Sequence, residues 1–227
     1  MKVISTQHRA NDRALDMMKP VTLSLAVLIT VAVALPASVL ANGTDKNDGA
    51  PIFTADGRLI PPTGYYHWAF LTSDLGMSYS ESGSASDQPP FSNVFVDPAA
   101  YRVFIKTGTW PDKTVLVKEF RASSTKGSIN CHGYFQSGKV LGVLVHVKDK
   151  ARFKDSWAFF VFDGDTSAKP AGKIPVSAAC YACHLAHGAV DTTFVQFYPS
   201  LLPIAKKYST LTTSYLKDEA KHKNSTK

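Results

Sequence analysis

Two thiols and an imidazole fall within five residues, Cys180-Tyr181-Ala182-Cys183-His184. Side chains three apart on a helical turn lie on one side of it. Each thiol can then add across a vinyl group of a haem, and the adjacent histidine reaches the iron from the same turn. Ser177 is expected to cap that turn. Three other chemistries use C-x-x-C. A redox dithiol opens a helix after a strand in a βαβ unit, but this motif follows Ile174-Pro175 and the chain shows no βαβ pattern. A structural zinc site needs a second pair of ligands at motif spacing, and none is present. A plain disulfide leaves the adjoining histidine without a role. The residues therefore point to one haem c, attached through Cys180 and Cys183, with His184 as the metal ligand.

The sixth iron position decides between functions. Electron-carrying c-type haems commonly pair histidine with methionine. Only Met77 stands beyond the N-terminal region, far before the haem motif. The other histidines past that region are His67, His132, His146, His187 and His222. Each is more often a surface or core residue than a ligand. The simplest expectation is a five-coordinate iron with one open face, suited to small-ligand binding or to redox chemistry on a small molecule.

The elements that must position this motif read as α+β, a small mostly antiparallel sheet with short helices. Tyr65–Leu71 is a short aromatic helix or strand, and Ser78–Pro90 a loop rich in Ser, Gly and Asp. Asn93–Val96 is a short strand. A helix over Ala99–Thr107 follows, with Asp97 as cap, Pro98 at the first position and Gly108 as the stop. Thr114–Phe120, Val140–Val147 and Ser156–Phe162 are β-branched or aromatic runs that predict strands. Turn signals at Lys126-Gly127-Ser128, Asp149-Lys150 and Asp163-Gly164-Asp165 separate them, which favours antiparallel pairing. Ser209–Lys227 is polar and is expected to be a frayed tail.

The chain has 227 residues, 44% of them hydrophobic, enough for a packed core and unlike a disordered chain. Pro20–Leu35 is an uncharged run of sixteen residues. It is short for a membrane span, which needs about 20. With Lys19 before it and Val39-Leu40-Ala41 after it, the run reads as a signal peptide over residues 1–41. An uncleaved anchor is the alternative, and a start at Met17 or Met18 would make a more ordinary signal. Residues 42–52 then form a flexible leader, 53–208 the haem domain and 209–227 the tail. Export implies the periplasm. Cleavage removes four basic and two acidic residues, so the net charge of +7 becomes +5. The basic residues are scattered, which argues against nucleic-acid binding; an acidic electron-transfer partner is compatible with the charge. Cys131 stands alone beside His132, able to pair between subunits or to remain a free thiol. Asn42-Gly43-Thr44 and Asn224-Ser225-Thr226 match the glycosylation pattern but fall in the expected tails.

Several segments taken in order resemble the cytochrome P-460 family, which includes the cytochromes c′-beta. They are Asn93-Val94-Phe95-Val96-Asp97-Pro98, then Thr109–Glu119 (TWPDKTVLVKE), Val147-Lys148-Asp149, Trp157-Ala158-Phe159-Phe160, the haem motif, and Asp191–Pro199 (DTTFVQFYP). The resemblance spans roughly Phe53 to Tyr208. It implies a small antiparallel sheet with short helices, a homodimer, and a haem motif near the C-terminus. In cytochromes P-460 a lysine in the TVxVKE strand is joined covalently to the haem, and these proteins oxidise hydroxylamine and handle nitric oxide. The c′-beta members lack the link and bind nitric oxide or carbon monoxide in an apolar pocket.

Lys118 matches the linking lysine. Period two sets Leu116, Lys118 and Phe120 on one strand face. A lysine between apolar neighbours either snorkels at a rim or is desolvated, which frees its amine as a nucleophile. A solvated lysine beside Glu119 is the competing reading. The chain departs from the family at two places. Hydroxylamine-oxidising members carry a distal carboxylate where Leu144 stands here, leaving His146, two residues on and on the same face, as the candidate base. An arginine expected before the NVFVDP strand is replaced by Ser92. Three functions follow as expectations. One is hydroxylamine oxidation at a lysine-linked haem, with a c-type cytochrome or similar redox partner. The second is nitric oxide or carbon monoxide binding without turnover. The third is simple electron transfer.

Overall fold

Period-two alternation decides the architecture. In β3 (Val115–Ser124), Val115, Val117 and Glu119 point one way, and Leu116, Lys118 and Phe120 the other. The computed structural model describes residues 49–79, 86–164 and 169–225. The expected signal peptide, the leader before Gly49, the Asn42 glycosylation pattern, part of the Ser78–Pro90 loop and Asp165 lie outside the described residues.

Five strands form one antiparallel sheet in sequential order: β1 (Ala69–Leu75), β2 (Phe91–Val96), β3, β4 (Phe135–Lys148) and β5 (Trp157–Asp163). The α+β expectation is therefore met. A 3-10 turn, Tyr65–His67, precedes β1, so the aromatic run is part helix and part strand. α1 (Pro98–Thr107) begins as expected. One Asp97 carboxylate oxygen accepts the Ala100 N–H at 2.7 Å. The other accepts the Val115 N–H at 2.9 Å, tying the helix start to β3. Gly108 ends the helix at φ 71°, where a side chain would be strained.

β4 begins five residues earlier than Val140. Residues 135–139 pair with the end of β3 only after register shifts, and most of them are exposed. They therefore carry no alternating apolar signal. The C-terminal region also differs from the expected frayed tail. α4 (Thr213–Ser225) docks on α2 (Ala179–His187). Tyr215 is buried in the core, the Thr212 hydroxyl donates to the Gly188 carbonyl at 2.6 Å, and His187 Nδ1 meets Asp218 at 2.5 Å. One buried aromatic and one cap hydroxyl anchor an otherwise polar helix, too few apolar positions to show as a periodic stripe. Gly49, at φ +81°, is buried against Asp97 and Trp68.

The sheet separates two cores. On one face Leu59, Tyr65, Val117, Val145, Phe153 and Phe160 pack beneath the N-terminal segment. On the other, Val94, Val96 and Leu116 meet α1, α3 (Leu202–Lys207) and the segment after α2, with Phe104, Trp110, Val190 and Leu201 fully or nearly buried. The haem motif lies on this second face. Among the described residues no helix is long and apolar enough to cross a membrane.

Candidate haem site

α2 carries all five motif residues, but its N-cap is Ala178, without a side-chain bond, rather than Ser177. The Ala178 N–H donates to the Pro175 carbonyl at 2.9 Å, so a tight turn carries Ser177 past the capping position. Cys180 and Cys183 are both free thiols, the first exposed and the second half-buried. Burial and the neighbouring Cys180 push the Cys183 thiol up from its ordinary pKa.

His184 is held by one bond and by the rings of Phe194 and Phe159. Its Nδ1 lies 2.6 Å from the Thr192 carbonyl. A carbonyl can only accept, so Nδ1 carries the proton and Nε2 is left with its lone pair. Phe194 stacks on the ring at 4.1 Å and 22°, and Phe159 meets it edge-on at 4.6 Å. Burial, and secondarily the Lys118 charge, lower its pKa, while the Thr192 bond opposes the shift. The imidazole is neutral and aimed, the form that binds a metal.

His184 and Cys180 open onto a cleft of about 910 Å³, counting the part open to solvent. Strand residues form its far wall: Val94, Leu116, Lys118, Phe120, Leu144 and Val161. Tyr79, Ile174 and Phe194 close the sides. These residues fit a haem. The wall is predominantly apolar, two unpaired thiols stand beside the cleft, and a neutral histidine with its far nitrogen already bonded faces the same space. Neither Met77 nor His67, His132, His187 or His222 lines the cleft. Among the described residues no group of three or more His, Cys, Asp or Glu is placed to hold a bare metal ion.

Lys118 faces the cleft, opposite Leu144 on β4 and Val94 on β2. Its Nζ lies 3.6 Å from an Asp74 carboxylate oxygen and 5.1 Å from the centre of the Phe120 ring. Asp74 sits on β1, opposite Ser92, whose hydroxyl also donates to it. Nothing in the spacing of Asp74 marks it in the sequence; strand pairing alone brings it to Lys118. Glu119 points to the opposite face of the sheet. There it accepts Tyr65 Oη at 2.7 Å and two Arg121 nitrogens at 2.8 Å each.

His146 is buried on the same face, opposite Leu116, stacked on Phe159 at 3.9 Å and 12°. Burial, then His184, hold its pKa well below the ordinary value, so it is neutral. Its ring centre is 5.3 Å from that of His184, and its Nε2 lies 3.4 Å from the Thr192 hydroxyl. Thr192 also bonds the Nδ1 side of His184, so His146 shares that side of the ligand with Thr192. Cys131 is exposed between β3 and β4.

The cytochrome P460 family model matches residues 62–195, well over half of the chain. The chain belongs to the cytochrome P460 family. Comparison with curated proteins returns no match. As a member of this family it is a haem protein of the c type, and its matched region runs from the segment before the 3-10 turn through β5 and α2 to Val195. α3 and α4 lie beyond the match, yet Leu201, Ala205 and Tyr215 complete the core behind the haem motif.

Proposed function

We propose that this cytochrome P460-family protein holds one haem c through Cys180 and Cys183, with His184 as the axial ligand and a substrate-accessible opposite face, and that it oxidises hydroxylamine. The observation that carries this reading is the His184 geometry. Its Nδ1 is committed to Thr192, while among the described residues no methionine and no further histidine other than the neighbouring His146 stands in the cleft wall. A bound haem supplies an iron that accepts electrons from the substrate and passes them to an external one-electron acceptor, such as a c-type cytochrome.

The protein's own task is then to take protons, since hydroxylamine oxidised to nitric oxide loses as many protons as electrons. Asp74 is the carboxylate nearest the cleft-facing Lys118, and it takes the place that the family's distal carboxylate leaves empty at Leu144. His146, on the Thr192 side of His184, serves as wall rather than as base. Lys118 is the residue we assign to the covalent link, because it faces the cleft between Leu116 and Phe120. A single homodimeric, periplasmic species, cleaved near Ala41, completes the proposal.

A second reading has its own support. The apolar wall around Leu144 and Phe120, and the ion pair that holds Lys118 on Asp74, favour a c′-beta-like nitric oxide or carbon monoxide binder. Intact mass, an absorption spectrum and dye-coupled hydroxylamine oxidation on protein matured with haem separate the two. Turnover, together with haem that stays on the Lys118 peptide after proteolysis, supports the first. A high-spin c-type spectrum, ligand binding and no turnover support the second. Colourless protein with the mass of bare polypeptide defeats both.

A further inference from the structure

The segment between α2 and the 3-10 turn at Val195–Phe197 contains the carbonyl that orients His184, and β4 grips that segment. Lys148 is a buried lysine on β4, two residues after His146 and on the same face. Its Nζ donates to the Trp110 carbonyl at 2.8 Å and to an Asp191 carboxylate oxygen at 2.8 Å, and lies 5.5 Å from the Trp157 ring centre. Asp191 is the residue before Thr192 and adopts φ 51°, a left-handed conformation unusual for a residue with a side chain. Trp110 Nε1 donates to the Thr193 hydroxyl at 2.8 Å, which in turn donates to the Val190 carbonyl at 2.7 Å.

Thr192 is thus bracketed by two tethered neighbours. Gly188 gives it room to approach. A Cβ there would stand 2.9 Å from the Thr192 carbonyl carbon and 3.0 Å from the Asp191 oxygen.

We propose that Lys148 and Asp191 are positioning residues for the axial histidine. Their ion pair fixes the Asp191–Thr193 turn, so the Thr192 carbonyl stays on His184 Nδ1 and sets both the ring orientation and the donor strength of Nε2. A firm N–H···O bond makes the imidazole a more basic ligand. That strengthens the iron–nitrogen bond and favours the oxidised iron. The pair is buried on the lysine side, so Asp191 is not an incidental surface partner: without it the ammonium keeps only one carbonyl and a ring. The proposal rests on His184 being the ligand.

The test uses full-length protein matured with haem, in the variants Lys148→Met and Asp191→Asn, the second an exposed site where Asn also accepts the left-handed backbone. Attached haem per chain is measured by mass, the ferrous iron–imidazole stretch by resonance Raman, and the reduction potential by titration. The expected result is haem attached as in the wild type, with the stretch moved to lower frequency and the potential raised in both variants. Lower thermal stability with an unmoved stretch and potential would reduce the pair to a structural tie and overturn the proposal. A wild-type protein with attached haem but no iron–imidazole band would overturn the ligand assignment, and this inference with it.

Discussion

Replacing Asp74 by Asn tests where the protons of hydroxylamine go. A positioned general base contributes about 10²–10⁴-fold to a proton-transfer step. Asp74 belongs at the low end of that range. Its carboxylate already accepts from the Ser92 hydroxyl and faces Lys118 Nζ at 3.6 Å, so taking a substrate proton must displace one of these contacts. We therefore expect kcat for dye-coupled hydroxylamine oxidation to fall about 100-fold, equivalent to about 2.7 kcal/mol of barrier. Asn keeps the size and the hydrogen bonds, so haem content and thermal stability should stay near the wild type. The control is His146→Leu, which keeps an apolar side chain against Phe159 while removing the ring stack there and the 3.4 Å contact to Thr192. It should turn over within a few-fold of the wild type. If Asp74→Asn keeps full activity while His146→Leu abolishes it, the proton acceptor is the histidine and the reasoning from strand pairing is wrong.

Lys118→Ala should convert the absorption spectrum to that of an ordinary high-spin c-type haem and release the Lys118 peptide from the haem on digestion; an unchanged spectrum shows there was no link. Glu119 should make stability pH-dependent. Burial alone would raise its pKa, but Arg121 and Tyr65 outweigh that and lower it. Its contribution is then present above the ordinary glutamate value and disappears as pH falls through the lower folded value. Urea unfolding of Glu119→Gln should lie below the wild type at pH 7 and converge with it in acid; a constant gap across pH would refute the charge argument. Deleting residues 213–227 removes the buried Tyr215 and should cost about 3–5 kcal/mol, the range for losing a large core aromatic, read as a lower urea midpoint. A midpoint unchanged by the deletion would mean that α4 adds nothing to the core.

Much of the sheet was legible because its inner strands are covered on both faces and so read as near-continuous apolar runs. Val115–Phe120 and Trp157–Phe162 each carry the pattern that a two-sided sheet demands. α1 was legible at both ends, since Asp97, Pro98 and Gly108 each perform a local backbone task that needs no tertiary context. The start of β4 and the whole of α4 were not. Residues 135–139 are exposed on a register-shifted ladder, and α4 is anchored through Tyr215 and Thr212 rather than through a stripe. The motif residues Cys180, Cys183 and His184 announce themselves because covalent chemistry dictates their spacing. Asp74, Thr192, Lys148 and Asp191 do not, because what they do depends on which strand or loop lies beside them.

That difference explains how the site can diverge while the fold holds. Lys118 is opposite both Val94 and Leu144, and β1 places Asp74 opposite Ser92 one strand further along the same face. A carboxylate can therefore reach the lysine from β1 as well as from β4. With Leu144 on β4 and Ser92 on β2, Asp74 is the remaining acidic group paired to Lys118. Returning the charge to β4 with Leu144→Asp in an Asp74→Asn background should restore part of the lost turnover. Leu144 is directly opposite Lys118, so the new carboxylate has the same lysine within reach, at the expense of one apolar contact in the cleft wall. Recovery of at least tenfold of the roughly 100-fold loss, about 1.4 kcal/mol, would show that the face of the sheet, not the particular strand, specifies the base. No recovery, with haem still attached and Lys118 still paired, would show that the position on β1 itself is required.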